Sequence, residues 1–173
     1  MMNEQVTIRP VTEADTDRII AWRNAPSVMA HFIYRTPLTR KAHLNWLHNR
    51  VETGEVAQFV IYDGETAVGS VYLRDIDRNN QKCEYGIFIG DEDCRGKGIG
   101  TAAAKLALAH AFEELGLNRV YLRVFADNLG AIKSYKKAGF RYEGTFRQDV
   151  MIDGVGEDIV FMAILREDWK KGE

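Results

Sequence analysis

Cysteine is nearly missing from this chain: Cys83 and Cys94 are the only two in 173 residues. They are too few for a disulfide scaffold and lack the spacing of a zinc site, so no metal is expected and a reducing cytoplasm is the simplest home. Proline is as scarce. Pro10, Pro26 and Pro37 are the only three and all lie early in the chain, so that region should be cut into short elements. Neither sign of charge dominates. Lys and Arg total 23 against 25 Asp and Glu, a net charge of −2 at pH 7, which gives nucleic acid no support as a partner. No apolar run reaches the roughly 18 residues of a membrane span, and Met1 to Pro10 lack the basic-then-apolar order of a signal peptide. Repeats, low-complexity tracts and linkers are absent too. With 46% hydrophobic and 28% charged residues, residues 1–173 read as one globular domain with an ordinary core.

The order of elements is read from periodicity and breaks. Gln5 to Arg9 predicts a strand. Thr12 caps a helix through Ile19, Ile20 and Trp22 that Pro26 should end, and Thr39 caps a second helix with Leu44, Leu47 and Val51. Val56 to Tyr62, Thr66 to Leu73 and Cys83 to Ile89 read as a meander turning at Asp63-Gly64 and at Arg78-Asn79-Asn80. After a Gly-rich loop, Ala104, Leu108, Phe112 and Leu115 fall on one helical face, with Gly116 to end it. Arg119 to Phe125 is a strand. Asn128 opens a short helix that Gly139 closes, and two strands, Arg141 to Met151 and Asp158 to Ile164, turn at Asp153-Gly154. The pattern is mixed α/β.

The loop Arg95-Gly96-Lys97-Gly98-Ile99-Gly100 is the most informative stretch. Glycines let the backbone turn tightly and approach a ligand, and a helix start presents unpaired N–H groups with positive potential. Together they make a phosphate cradle. A P-loop kinase needs Gly-Lys-Ser/Thr, but Gly98 follows Lys97. A dinucleotide fingerprint needs G-x-G-x-x-G, but Thr101 stands where the last glycine should be.

Arg95-x-x-Gly98-x-Gly100, following Tyr85-Gly86-Ile87-Phe88-Ile89, resembles the acetyl-CoA pyrophosphate loop of the GNAT N-acetyltransferases. The stretch Asn128 to Phe140 is similar to the motif after the fifth strand in that superfamily. The resemblance implies a single GNAT-type domain. Its sheet would be mostly antiparallel, with a splayed cofactor-binding strand and helices on both faces. It also implies transfer of acetyl from acetyl-CoA directly to a primary amine. The backbone of Phe88 and Ile89 would meet the pantetheine arm. The loop amides from Arg95, Gly96, Lys97, Gly98, Ile99, Gly100 and Thr101 would hold the pyrophosphate. Asn128 would serve the arm, the helix start, or both.

Acetylating an alkyl amine poses two proton problems. With a pKa near ~10.4 the amine is almost wholly protonated at pH 7, and stripping the proton is worth roughly 4–5 kcal/mol. The thiolate that leaves must in turn be protonated or stabilised. Tyr135 matches the family tyrosine that faces the sulfur and is the expected acid. Glu84, on the strand beside the cofactor, is the leading candidate for the base, with His31, His43, His48 and His110 as alternatives by chemistry alone.

Residues 10–55 form the substrate-variable helical region. Trp22, Arg23, Asn24, Phe32 and Tyr34 are candidate acceptor contacts, because aromatics with cations suit a sugar or base bearing phosphate. The stretch from His31 to Arg50 holds Arg35, Arg40, Lys41 and Arg50 and no carboxylate, which opposes a polycation. A small amine, for example on a sugar nucleotide, is the favoured acceptor. A ribosomal-type protein N-terminus, a polyamine, or a non-catalytic acyl-CoA-binding regulatory role are the alternatives. Exposed strand edges are compatible with a homodimer.

Overall fold

The computed structural model describes residues 5–171. β1 (Val6–Pro10), β2 (Ala57–Asp63), β3 (Thr66–Asp77), β4 (Lys82–Ile89), β5 (Arg119–Phe125), β6 (Arg141–Ile152) and β7 (Val155–Leu165) form one sheet. Its order is β1-β2-β3-β4-β5-β7-β6. Every neighbouring pair is antiparallel except β4 and β5. Those two are parallel, and only Lys82 to Glu84 pairs with Arg119 to Tyr121. Beyond that contact they diverge, while each stays paired on its other side, to β3 and to β7. The sheet is thus split along its middle.

Among the described residues six α-helices cover it: α1 (Thr16–Asn24), α2 (Pro26–Met29), α3 (Arg40–Trp46), α4 (Ile99–Ala109), α5 (Leu129–Ala138) and α6 (Arg166–Lys171). Strand alternation sorts the sheet residues between two cores. On one face α4 lays Ala103, Ala107 and Leu108 on Val71, Leu73, Cys83, Val120 and Leu122. Its alanines let the helix axis come close to the sheet. On the other face Ile19, Val28 and Leu47 pack on Val60 and Phe88. Among the described residues no helix is long and apolar enough to cross a membrane.

The expected meander, central helix and closing strand pair are present. Thr39 caps α3 by accepting from the Ala42 amide. Asp15 accepts from both the backbone N–H and the hydroxyl of Thr12. Three details differ. Pro26 follows the end of α1 but also opens α2, since proline has no N–H to lose at a first helical position. β7 begins at Val155, three residues before Asp158, because the hairpin turn is tight at Asp153-Gly154. The six-residue α6 was not expected; it is too short to show a helical period.

Candidate active site

The phosphate-type loop leaves β4 and ends at the first turn of α4. Gly96 and Gly98 have φ of +74° and +82°, left-handed values that a side chain would strain. Gly98 is the residue before α4, so the free amides of the first helical turn open beside it. Ile99 is 1% exposed and plugs into the main core, which anchors the loop. Arg95 is tied down, with Nη2 3.1 Å from the Ile89 carbonyl and 3.3 Å from Ser27 Oγ. Thr101 and Ser134 share a 3.0 Å hydroxyl hydrogen bond that joins α4 to α5.

A cleft of about 610 Å³ follows the split between β4 and β5. Phe88, Ile89, Arg95, Gly96, Gly98, Gly100, Thr101 and Asn128 all line it. Lys97 and Ile99 do not: Lys97 is exposed and Ile99 points into the core. Asn128 caps α5, accepting from the Ala131 amide at 3.3 Å. Its side-chain nitrogen lies 3.4 Å from His31 Nδ1 on the facing loop.

The two sides of the cleft carry different chemistry. From the α5 side comes Tyr135, half-buried, its ring 6.0 Å from both Tyr85 and Phe140. Burial, and to a lesser extent the nearby Tyr72, pushes its phenol above the ordinary tyrosine range. Tyr135 therefore holds its proton and is a standing hydrogen-bond donor. From the opposite sheet face comes Glu84, 4% exposed. Arg123 Nε lies 2.9 Å from its Oε1, and Arg74 Nη2 lies 3.1 Å from its Oε2. Arg123 is also hydrogen-bonded to Tyr34.

Glu84 is therefore in the cleft, as expected, but not as a free base. Both of its oxygens already accept from guanidinium groups. Arg74, Arg123 and Tyr72 line the cleft with it and were not anticipated. They become visible only once register is known, since Arg74 faces Glu84 and Tyr72 faces Gly86 across β3 and β4.

Phe32 and Tyr34 line the cleft, whereas Trp22, Arg23 and Asn24, expected beside the acceptor, lie outside the lining and make contacts with the neighbouring loop. Asn24 bonds the backbone of Leu38 in both directions, at 2.9 and 2.7 Å. The Arg23 guanidinium sits 3.5 Å over the Phe32 ring and donates to the Tyr34 carbonyl at 2.6 Å. Trp22 packs where a side chain on Gly90 would stand. The triplet is the scaffold for the loop that carries Phe32 and Tyr34. The basic stretch is also mostly spent elsewhere. Arg40 pairs with Asp17 at 2.5 Å, Arg50 with Glu55 at 2.8 Å, and Arg35 donates to Ala30 O at 2.8 Å.

Of the four histidines only His31 lines the cleft. His43 is 2% exposed and 3.1 Å from Thr16 Oγ1. His48 pairs with Glu52 at 3.0 Å, and His110 stacks edge-on to Phe59. Cys94 lines the cleft, and burial raises its thiol.

Comparison with known proteins bears on this geometry. A family model described as an acetyltransferase (GNAT) domain matches residues 5–141. Spermidine N(1)-acetyltransferase of Escherichia coli K12 is 32% identical over 166 residues, covering 95% of this chain and 88% of that protein. The crystal structure of spermidine N-acetyltransferase from Vibrio cholerae, in complex with CoA and spermine, superposes with a TM-score of 0.89. It is 24% identical and covers 96% of this chain and 98% of that one. A dodecameric structure of the Vibrio cholerae enzyme, 24% identical, covers 98% of this chain and 99% of that one with a TM-score of 0.83.

Proposed function

This chain belongs to the GNAT acetyltransferase family and is an acetyl-CoA-dependent N-acetyltransferase, and we propose that its acceptor is a small primary amine carrying an anionic group, an amino-sugar nucleotide being a fitting example. The observation that carries this reading is the charge of the acceptor end of the cleft. Arg74 and Arg123 converge on Glu84, the only carboxylate among the lining residues, while Asp75 Oδ2, 3.8 Å from Arg74 Nε, stands outside the lining. Within the lining at that end, cations outnumber carboxylates two to one. A polycation would meet guanidinium groups and find no free carboxylate, whereas a phosphate or carboxylate can bind them bidentately.

The split sheet supports the cofactor assignment. The edges of β4 and β5 do not pair with each other past Glu84, and such a gap suits an extended amide-bearing arm. The glycine amides at the start of α4 suit a pyrophosphate. In the reaction the amine nitrogen bonds to the acetyl carbonyl carbon and the carbon–sulfur bond breaks. Tyr135 donates to the sulfur as negative charge develops there. The amine must arrive neutral, and the two guanidiniums facing it favour this by penalising the ammonium form. The ammonium gives one proton to water before attack, and the second, released from nitrogen as the amide forms, returns through water to Tyr135 in place of the one given to sulfur. Glu84 serves this reading as the anchor that fixes the two guanidiniums.

Self-association is part of the same reading. Tyr142, Phe146, Met151 and Val155 are large apolar residues exposed on or beside β6 and β7. With β6 an outer strand, they support a homo-oligomer.

The test is a side-by-side assay of spermidine and a UDP-linked amino sugar at saturating acetyl-CoA. The anionic amine should have the higher kcat/KM, and added salt should weaken it selectively. A tenfold preference for spermidine, about 1.4 kcal/mol in transition-state binding, overturns the acceptor assignment.

A further inference from the structure

Gly86 stands where β4 has just parted from β5, and its partner across β3 is Tyr72. A β-carbon built on Gly86 would overlap Cζ, Cε2 and the hydroxyl oxygen of Tyr72. The phenol ring therefore lies over the Gly86 backbone, in a niche that only glycine leaves. From that seat Tyr72 lines the cleft together with Arg74 and Glu84. It is also close enough to Tyr135 to act on its ionisation from the other side of the split. The Tyr72 phenol thus belongs both to the surroundings of the proton donor and to those of the guanidinium pair. An amine attacking a thioester in the gap must arrive between those two groups.

We infer that Tyr72, seated over Gly86, positions the acceptor: its hydroxyl accepts a hydrogen bond from the incoming amine, and its ring walls the pocket on the β3 side. This rests on the reading of the cleft as an acetyl-transfer site but not on the charge of the acceptor. Burial pushes the Tyr72 phenol above its ordinary range, so the hydroxyl stays neutral and keeps its lone pairs for the amine. Gly86 acts only through the ring it admits.

The experiment compares Tyr72→Phe, Tyr72→Ala, Gly86→Ala and the Tyr72→Ala/Gly86→Ala double variant. Each is assayed with spermidine and with a UDP-linked amino sugar, and acetyl-CoA affinity is measured by calorimetry. For whichever amine the unaltered enzyme uses better, Tyr72→Phe should lower kcat/KM about tenfold, with acetyl-CoA affinity within twofold. Gly86→Ala should lose at least as much, by evicting the ring. In the Tyr72→Ala background, Gly86→Ala should cost nothing further, since the ring it would displace is gone. Unchanged kcat/KM in Tyr72→Phe overturns the inference, as does a Gly86→Ala loss that persists without the ring. If Gly86→Ala does not fold, Tyr72→Phe alone decides. The unaltered enzyme's preference between the two amines tests the acceptor's charge separately.

Discussion

The two faces of the sheet are built in opposite ways. On the α4–α5 face, the cofactor side is made of short contiguous runs: one loop running into a helix start, then one capped helix carrying Tyr135. Neighbours in space are neighbours in sequence. On the other face, the proposed acceptor side draws Phe32 and Tyr34 from a loop, Tyr72 and Arg74 from β3, Glu84 from β4 and Arg123 from β5. Backbone amides held by local geometry suit a ligand that never changes. A pocket of side chains from separate elements lets each be replaced without disturbing the cofactor. The contrast predicts that damage on one face should leave the other's binding intact.

The largest expected effect is on the acceptor face. Glu84→Gln removes the carboxylate that Arg74 and Arg123 share and leaves Arg74 only the more exposed Asp75 at 3.8 Å; losing one partner of a buried pair typically costs about 3–5 kcal/mol. A clear drop in melting temperature and a large rise in amine KM should follow. The shape of the pH–rate profile should persist, because Glu84 is an anchor here. Loss or displacement of the acidic limb in Glu84→Gln would return the base role to Glu84. Next comes Tyr135→Phe on the cofactor face. Turnover should fall by about 10²-fold while calorimetry shows acetyl-CoA affinity nearly unchanged; near-normal turnover would mean that the thiolate leaves without a phenol.

The smallest effect concerns pH. Burial lowers the His43 pKa in the folded protein, outweighing the raising effect of Asp15. As pH falls below the ordinary value near ~6.5, the unfolded chain takes up a proton that the folded chain resists, so stability falls with it. Burial lowers His110 on the opposite face too. Between pH 7.5 and 5.5, His43→Gln should lessen the drop in melting temperature by a few degrees at most. An identical slope in wild type and variant would contradict a neutral buried His43.

Sequence reading fared as this contrast would lead one to expect. The loop from Arg95 to Gly100, the Asn128 cap and the expected place of Tyr135 were legible because the chemistry is written in consecutive residues. Arg74, Arg123 and Tyr72 were not, because their meeting depends on strand register, and a slip of one residue would turn each to the other face. Trp22, Arg23 and Asn24 stand outside the cleft lining for a different reason. Aromatic, cation and amide are the right chemistry for a ligand and equally right for pinning a loop, and only the partner decides. Here the partners are Gly90, Phe32 and Leu38. Glu84 lines the cleft with both of its oxygens held by cations from other strands.

The three-residue contact between β4 and β5 has one more consequence. An ordinary open sheet of seven strands has two edges, here β1 and β6. The split gives this sheet two further unpaired margins, in its interior. Bare margins invite pairing with other chains and hence aggregation. On the outer strands that hazard is constant, but the inner pair is shielded whenever an extended ligand lies between them. Stocks of the protein held with acetyl-CoA should therefore outlast ligand-free stocks against turbidity, through the covering of these margins as well as through any gain in folding stability.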